Sequence, residues 1–198
     1  MNRRTLDLIF SIGGLALAGL LLVLGLVLKD QASFARDYVH DQLAQQKITF
    51  STVDKLTDDE KKVGCLTKNA GKDLLTGKQA ECYANAYIGD HLKGVNEGKT
   101  YSQTSGEARA ARTAAKEALA KSPTDPAALA LDAKATDLEG KVQTLFRGET
   151  LRGLLLTSFG FSIFGERADT AGTLAYAAAV VLLLAGLAGL VHASRSRA

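Results

Sequence analysis

Histidine and cysteine are scarce in this 198-residue chain, and the spacing of the few present argues against metal and redox chemistry. The histidines are His40, His91 and His192, with no HxxxH, HExxH or His-x-His arrangement among them. His40 and His91 each adjoin an aspartate, but neighbours on a helix diverge by about 100° and do not share a ligand set. Cys65 and Cys82 form no CxxC pair and have no Cys/His cluster beside them. A phosphate-cradling loop, a dinucleotide fingerprint and a nucleophile elbow are also absent, so no catalytic residue, cofactor or metal is expected. The chain contains no tryptophan, and it has no net charge away from its two ends.

The formal charge is +3, and the tails hold all of it: Arg3 and Arg4 against Asp7 at the start, Arg195 and Arg197 at the finish. The neutral middle offers no basic footprint, which excludes nucleic acid as a partner.

Charge is missing altogether from two long runs. "LIFSIGGLALAGLLLVLGLVL" (8–28) and "GTLAYAAAVVLLLAGLAGLV" (172–191) contain no charged side chain. About 20 apolar residues suffice to cross a hydrocarbon core of roughly 30 Å as a helix. A cleaved signal peptide is the alternative for the first run, with "SFA" (33–35) as the cleavage site. Signal cores of about 7–15 residues are shorter than this one, so a retained anchor is expected. Basic residues outside both runs place both termini in the cytoplasm and residues 29–171 outside a cell membrane.

The expected fold is all-α: an integral membrane protein with two transmembrane helices and a mostly helical extracytoplasmic domain between them. Its segments are a cytoplasmic tail (1–7), transmembrane helix 1 (8–28), the outer domain (29–150), an interfacial helix and link (151–171), transmembrane helix 2 (172–191) and a second cytoplasmic tail (192–198). Within the outer domain the first helix continues past the membrane, and "KITFSTV" (47–53) alternates like a short extended link. Thr57 with Glu60, and Thr104 with Glu107, have capping-box spacing and open further helices. "GVNEGKTYSQTSG" (94–106) is expected as a loop. Asp125 caps a helix that starts at Pro126. The Ala-rich run 107–121 suits a hairpin or spacer more than a core, because alanine buries little area. Residues 78–92 form one helix whose stripe is Ala80, Tyr83, Ala84, Tyr87, Ile88, His91 and Leu92. His91 then reads as a packed helix residue rather than a ligand.

Cys65 and Cys82 lie in the segment placed outside, where thiols oxidise. Their spacing suits a disulfide between neighbouring helices, with reduced thiols or a redox pair as the alternatives. "LRGLLLTSFGFSIF" (151–164) is too short to span and is followed by Glu166, Arg167 and Asp169, so it is expected at the membrane interface. Its apolar residues Leu151, Leu154, Leu155, Phe159, Phe161 and Phe164 are candidate contacts for lipid or a partner. In the spans, Gly14 with Ala18, Ala175 with Ala179, and Ala185 with Gly189 have the small-xxx-small spacing of helix-packing faces.

Three stretches, "VHDQLAQQKITF" (39–50), "AECYANAYIGDHL" (80–92) and "VQTLFRGETLRGLLL" (142–156), resemble a family of two-span actinobacterial membrane proteins of unknown function. The resemblance covers both spans and about half of the outer domain, and it excludes Cys65, Cys82 and the Ala-rich run. Family members sometimes carry the label aromatic ring-opening dioxygenase. Such enzymes generally use a two-His, one-carboxylate iron site, whereas here only His40 and His91 lie outside, on different expected helices. The expectation is therefore a non-enzymatic accessory or interaction subunit of a cell-envelope or membrane complex, contacting membrane lipid and either a membrane protein partner or a second copy of itself. The alternative is a ligand-sensing outer domain working through a separate membrane partner, and the remote one an extracytoplasmic enzyme.

Overall fold

The computed structural model describes residues 3–195; Arg197, one of the charges used for orientation, lies outside the described residues. Every regular element among those residues is helical, and the only extended pairing is an isolated bridge between Thr49 and Asp73. Two long helices, α1 (Arg3–Gln46) and α7 (Pro126–Arg195), flank a set of shorter ones. These are a 3-10 turn (Val53–Lys55), α2 (Asp58–Lys62), α3 (Gly64–Asn69), α4 (Gly77–Cys82), a π-helical turn (Tyr83–Ile88), α5 (Gly89–Lys93) and α6 (Tyr101–Lys121). The chain divides into two units: residues 1–42 with 161–198, and residues 43–160.

In the first unit α1 and α7 run antiparallel along a seam of small residues. Buried Ser11, Ala18, Gly25, Ala32, Ala35 and Val39 recur on α1 at alternating three- and four-residue steps, with half-buried Gly14, Leu21 and Leu28 filling the gaps. On α7 the matching row is Gly172, Ala175, Ala179, Leu182, Gly186, Gly189 and Ala193. This is heptad spacing, which keeps one face of each helix against the other. The approach is close because the seam lacks bulk. A Cβ on Gly186 would stand 2.8 Å from Leu15 Cγ and 3.1 Å from the Ser11 carbonyl oxygen, and one on Gly25 would stand 2.7 Å from the Tyr176 ring.

Where the apolar runs end, Lys29 Nζ donates to Asp169 Oδ1 at 2.9 Å and to Thr173 Oγ1 at 2.7 Å. Arg36 lies 4.0 Å from the same carboxylate.

The second unit starts where α1 stops. Lys47 takes a left-handed conformation (φ 51°), which ends the helix, and Phe50 N–H then donates to the Lys72 carbonyl. The sharp return at Gly71 has φ 71°, which only a residue without Cβ adopts readily. Thr57 and Glu60 form a reciprocal capping box at the start of α2. α7 begins at Pro126, with Asp125 Oδ1 accepting from Ala127 N–H at 3.0 Å.

Three sequence expectations require correction. Helix α6 starts one turn earlier than Thr104, because Thr100 and Gln103 make the capping box instead. Thr104 is buried inside the helix, where Asn96 Nδ2 donates to its hydroxyl at 3.1 Å, and 101–106 is not a loop. Second, residues 151–171 are not a helix and link set apart from the last apolar run but lie within the uninterrupted α7. The charges of Glu166, Arg167 and Asp169 do not break a helix, since they are exposed or half-exposed and Asp169 is paired with Lys29. Third, residues 78–92 are not one regular α-helix. Gly89 N–H reaches the Ala84 carbonyl five residues back, so the middle is a π-helical turn.

The Ala-rich α6 packs as a hairpin arm against the start of α7. Ala108 and Ala115 are buried on one helix, Ala128 and Ala135 on the other. Arg112 ties the arms together, donating to both Glu139 oxygens at 2.7 Å, to Thr136 at 3.1 Å and to Asp132.

Candidate functional site

The chemically richest surface of the second unit is the π-helical turn and the residues around it. A π turn places Tyr83, Tyr87 and His91 in a continuous ladder, with ring centroids 4.9 and 4.4 Å apart. Phe50 meets Tyr83 edge-on at 5.2 Å, the preferred geometry of aromatic quadrupoles. Burial, aided by the neighbouring Tyr87, holds the Tyr83 hydroxyl above the ordinary tyrosine range. Beneath the rings, Ala80, Ala84, Ile88 and Leu92 are buried. His91 is exposed, and its Nδ1–H donates to the Tyr87 carbonyl at 2.7 Å, which fixes the ring.

Glu60 faces this ladder from α2. Its Oε2 accepts from Thr57 N–H at 2.8 Å, completing the cap. Its Oε1 is buried, accepts no hydrogen bond from the protein and lies 3.9 Å from His91 Nδ1. Only 7% of the Glu60 side chain is exposed. A buried carboxylate oxygen without a donor is costly, and such groups are uncommon. The arrangement can accept a hydrogen bond or a positive charge.

Two fastenings hold the turn. The Cys65–Cys82 disulfide joins α3 to α4, with Cα atoms 6.1 Å apart. From α7, Arg152 donates to Asn85 Oδ1 and to Glu149 Oε2, each at 3.2 Å. Its Nε would sit 3.4 Å from a Cβ on Gly89, so the glycine makes room for the guanidinium. Leu92 occupies the space above Gly148 in the same way.

The residues singled out from sequence divide among several places. Leu154 is 63% exposed and Leu151 is also exposed, both in the second unit. Leu155 is buried at 2% and so is a core residue, its side chain turned about 100° around α7 from that of Leu154. Phe159 is half-buried, whereas Phe161 and Phe164 are exposed in the first unit. Gly14, Ala18, Ala175, Ala179 and Gly189 lie on the seam. Ala185 is exposed, and Gly186, one residue on, occupies the seam position. Glu60, Asn85 and Arg152 were missed as members of one site. The Thr57–Glu60 spacing located the carboxylate as a cap, but nothing local links it to His91 thirty-one residues away.

Among the described residues no three His, Cys, Asp or Glu side chains gather to hold a metal ion. His40 pairs only with its neighbour, its Nδ1 3.2 Å from Asp41 Oδ1. Comparison with protein-family models, with curated proteins and with solved structures gave no match.

Proposed function

We propose that this chain is a two-span membrane protein that holds residues 29–171 outside the cell, with both termini in the cytoplasm, and works through contacts rather than catalysis. The observation that carries this is the inverted packing of the first unit. A water-soluble coiled coil puts Leu, Ile and Val into its seam. Here most of the buried seam positions are Gly, Ala and Ser, while Phe10 (75% exposed), Leu20 (68%), Val181 (65%) and Leu184 point outward. Only 17% of the most apolar stretch of each long helix is buried. Covering a large apolar side chain contributes about 1.5–3 kcal/mol, so leaving the exposed ones of both apolar runs in water would outweigh a net stability of roughly 5–15 kcal/mol. In lipid the same surface costs nothing, and small residues are what allow two helices to pack.

The contact role follows from the outer domain. Its hairpin arms and disulfide-fastened helices form a fixed display, and exposed Leu151 and Leu154 offer an apolar surface for a membrane protein partner or another copy. The chain then acts as an accessory subunit of a cell-envelope or membrane complex. Orientation is tested with impermeant maleimide on single added cysteines. Ser102→Cys labels in intact cells and Ser194→Cys only after permeabilisation; the reverse pattern overturns the topology. A photo-reactive residue at Leu154 tests the contact role. A discrete protein adduct supports it, and adducts with lipid alone, or none, remove it.

A second reading, a ligand-sensing outer domain, is favoured by one feature: the buried unpartnered oxygen of Glu60 beside the His91–Tyr87 ladder. A cationic amine that raises the melting temperature of the full chain, but not of its Glu60→Gln variant, supports that reading. Equal responses from both proteins remove it.

A further inference from the structure

Beyond the ends of the apolar runs, the first unit keeps exposing large aromatic side chains, and their height is set by the register of the two helices. Lys29 meets Asp169, and Ala35 meets Gly165 so closely that a Cβ on the glycine would stand 2.9 Å from the alanine Cβ. That register puts Phe34 and Phe164 at one level, one on each helix. Both point away from the seam, 56% and 76% exposed. Each is five residues beyond its own member of the Lys29–Asp169 pair, or about 7.5 Å along a helix axis.

About 7.5 Å past the hydrocarbon edge is the outer limit of the headgroup layer, since a core of roughly 30 Å in a bilayer of about 40–45 Å leaves about 5–7.5 Å on each side. Phe, like Trp and Leu, buries at the boundary between headgroups and acyl chains when it is presented on the apolar face of an interfacial helix. We propose that Phe34 and Phe164 are bilayer anchors: the outer headgroup layer closes over the Lys29–Asp169 pair and reaches these two rings. The charges at this level are compatible with that environment. Asp169 is paired with Lys29, while Asp30, Asp37, Glu166 and Arg167 are exposed to the polar layer, and Arg36, 4.0 Å from the Asp169 carboxylate, has a mostly exposed side chain able to extend toward phosphate. About one turn farther out, Tyr38 stacks on Phe34 at 5.8 Å and meets Phe161 edge-on at 5.7 Å.

This inference rests on the two-span reading, and the test separates the two. The chain contains no tryptophan, so a single substitution creates a unique fluorophore. Phe164→Trp, Phe34→Trp, Leu20→Trp and Phe146→Trp variants of the full chain are reconstituted in phosphatidylcholine–phosphatidylglycerol vesicles. Each is quenched in turn by iodide and by lipids brominated at shallow or deep acyl positions. The expected result is deep quenching at position 20, shallow quenching with several-fold lower iodide access at 34 and 164, and full iodide access at 146. If 164 matches 146 while 20 is quenched by lipid, the anchors are refuted and the spans stand. Shielding of 164 from both quenchers, as under a protein cover, also refutes the anchors. Failure of lipid to quench position 20 refutes the spans and the anchors together.

Discussion

Replacing single glycines by alanine on the two sides of the long helices gives the most direct test of the seam. At Gly186 the new Cβ would meet Leu15 Cγ at 2.8 Å, Leu15 Cδ2 at 3.0 Å and the Ser11 carbonyl oxygen at 3.1 Å. Carbon contacts are comfortable at about 3.5–4.0 Å, so the neighbour must yield by roughly an ångström. Leu15 can shift by changing rotamer, but the Ser11 oxygen is backbone and moves only if the helices part. Overpacking of this kind costs about 1–3 kcal/mol. Against it stands the gain of about 1 kcal/mol from alanine over glycine in a helix. At Gly13 and Gly19 nothing lies within 4 Å of the added carbon, so only the gain remains. Gly186→Ala is therefore expected to lie about 1–3 kcal/mol below Gly13→Ala in the free energy of helix pairing. The assay is detergent-driven separation of α1 from α7 in the purified chain, read by energy transfer between dyes at positions 5 and 194. Adding Leu15→Ala to Gly186→Ala is expected to recover part of the loss. If Gly186→Ala and Gly13→Ala separate at the same detergent fraction, the seam does not hold the helices and the inverted-packing argument fails.

Other consequences follow for the outer domain. The Cys65–Cys82 bridge closes a loop of sequence separation 17, which is worth about 3 kcal/mol in the chain-entropy model. Cys65→Ala/Cys82→Ala, or reduction, is expected to lower the denaturant midpoint of the full chain accordingly, with an unchanged midpoint refuting this. The guanidinium of Arg112 holds the Glu139 carboxyl below the usual carboxylate range, chiefly through its hydrogen bonds. A lowered folded-state value means that the stabilisation is present above the ordinary glutamate range and is lost as pH falls through the lowered value. Acid scans should therefore show the α6–α7 hairpin loosening at low pH, and Arg112→Ala should reduce that dependence, leaving the part due to Glu107, which Lys99 holds low; identical pH profiles would contradict the assignment. Gly71→Ala forces a side chain into a left-handed conformation, expected to cost about 1–2 kcal/mol in thermal unfolding, and a neutral result would show that the turn relaxes.

The two long apolar helices, the cap at Thr57, the Asp125–Pro126 start and the Cys65–Cys82 pairing were legible because each depends on residues a few positions apart or on composition. The start of α6 was misread because Thr100–Gln103 and Thr104–Glu107 both have capping-box spacing, and only packing selects between them. Thr104 is needed in the buried contact with Asn96, which leaves Thr100 as the cap. The π turn was invisible for a related reason. Over six residues an α period and a slightly wider one place the same side chains on nearly the same face.

Composition and local spacing by themselves determined that the chain is helical, that two stretches are long and apolar enough to cross a membrane, and where several helices start. Tertiary structure decided which of two adjacent small residues, Ala185 or Gly186, enters the seam. It also decided that 151–164 belongs to one continuous helix, and that Glu60 meets His91. The physical reason is the range of the interactions. Helix formation and capping act within about four residues, whereas the register of α7 is set by Ser11 and Leu15 on a helix at the other end of the chain.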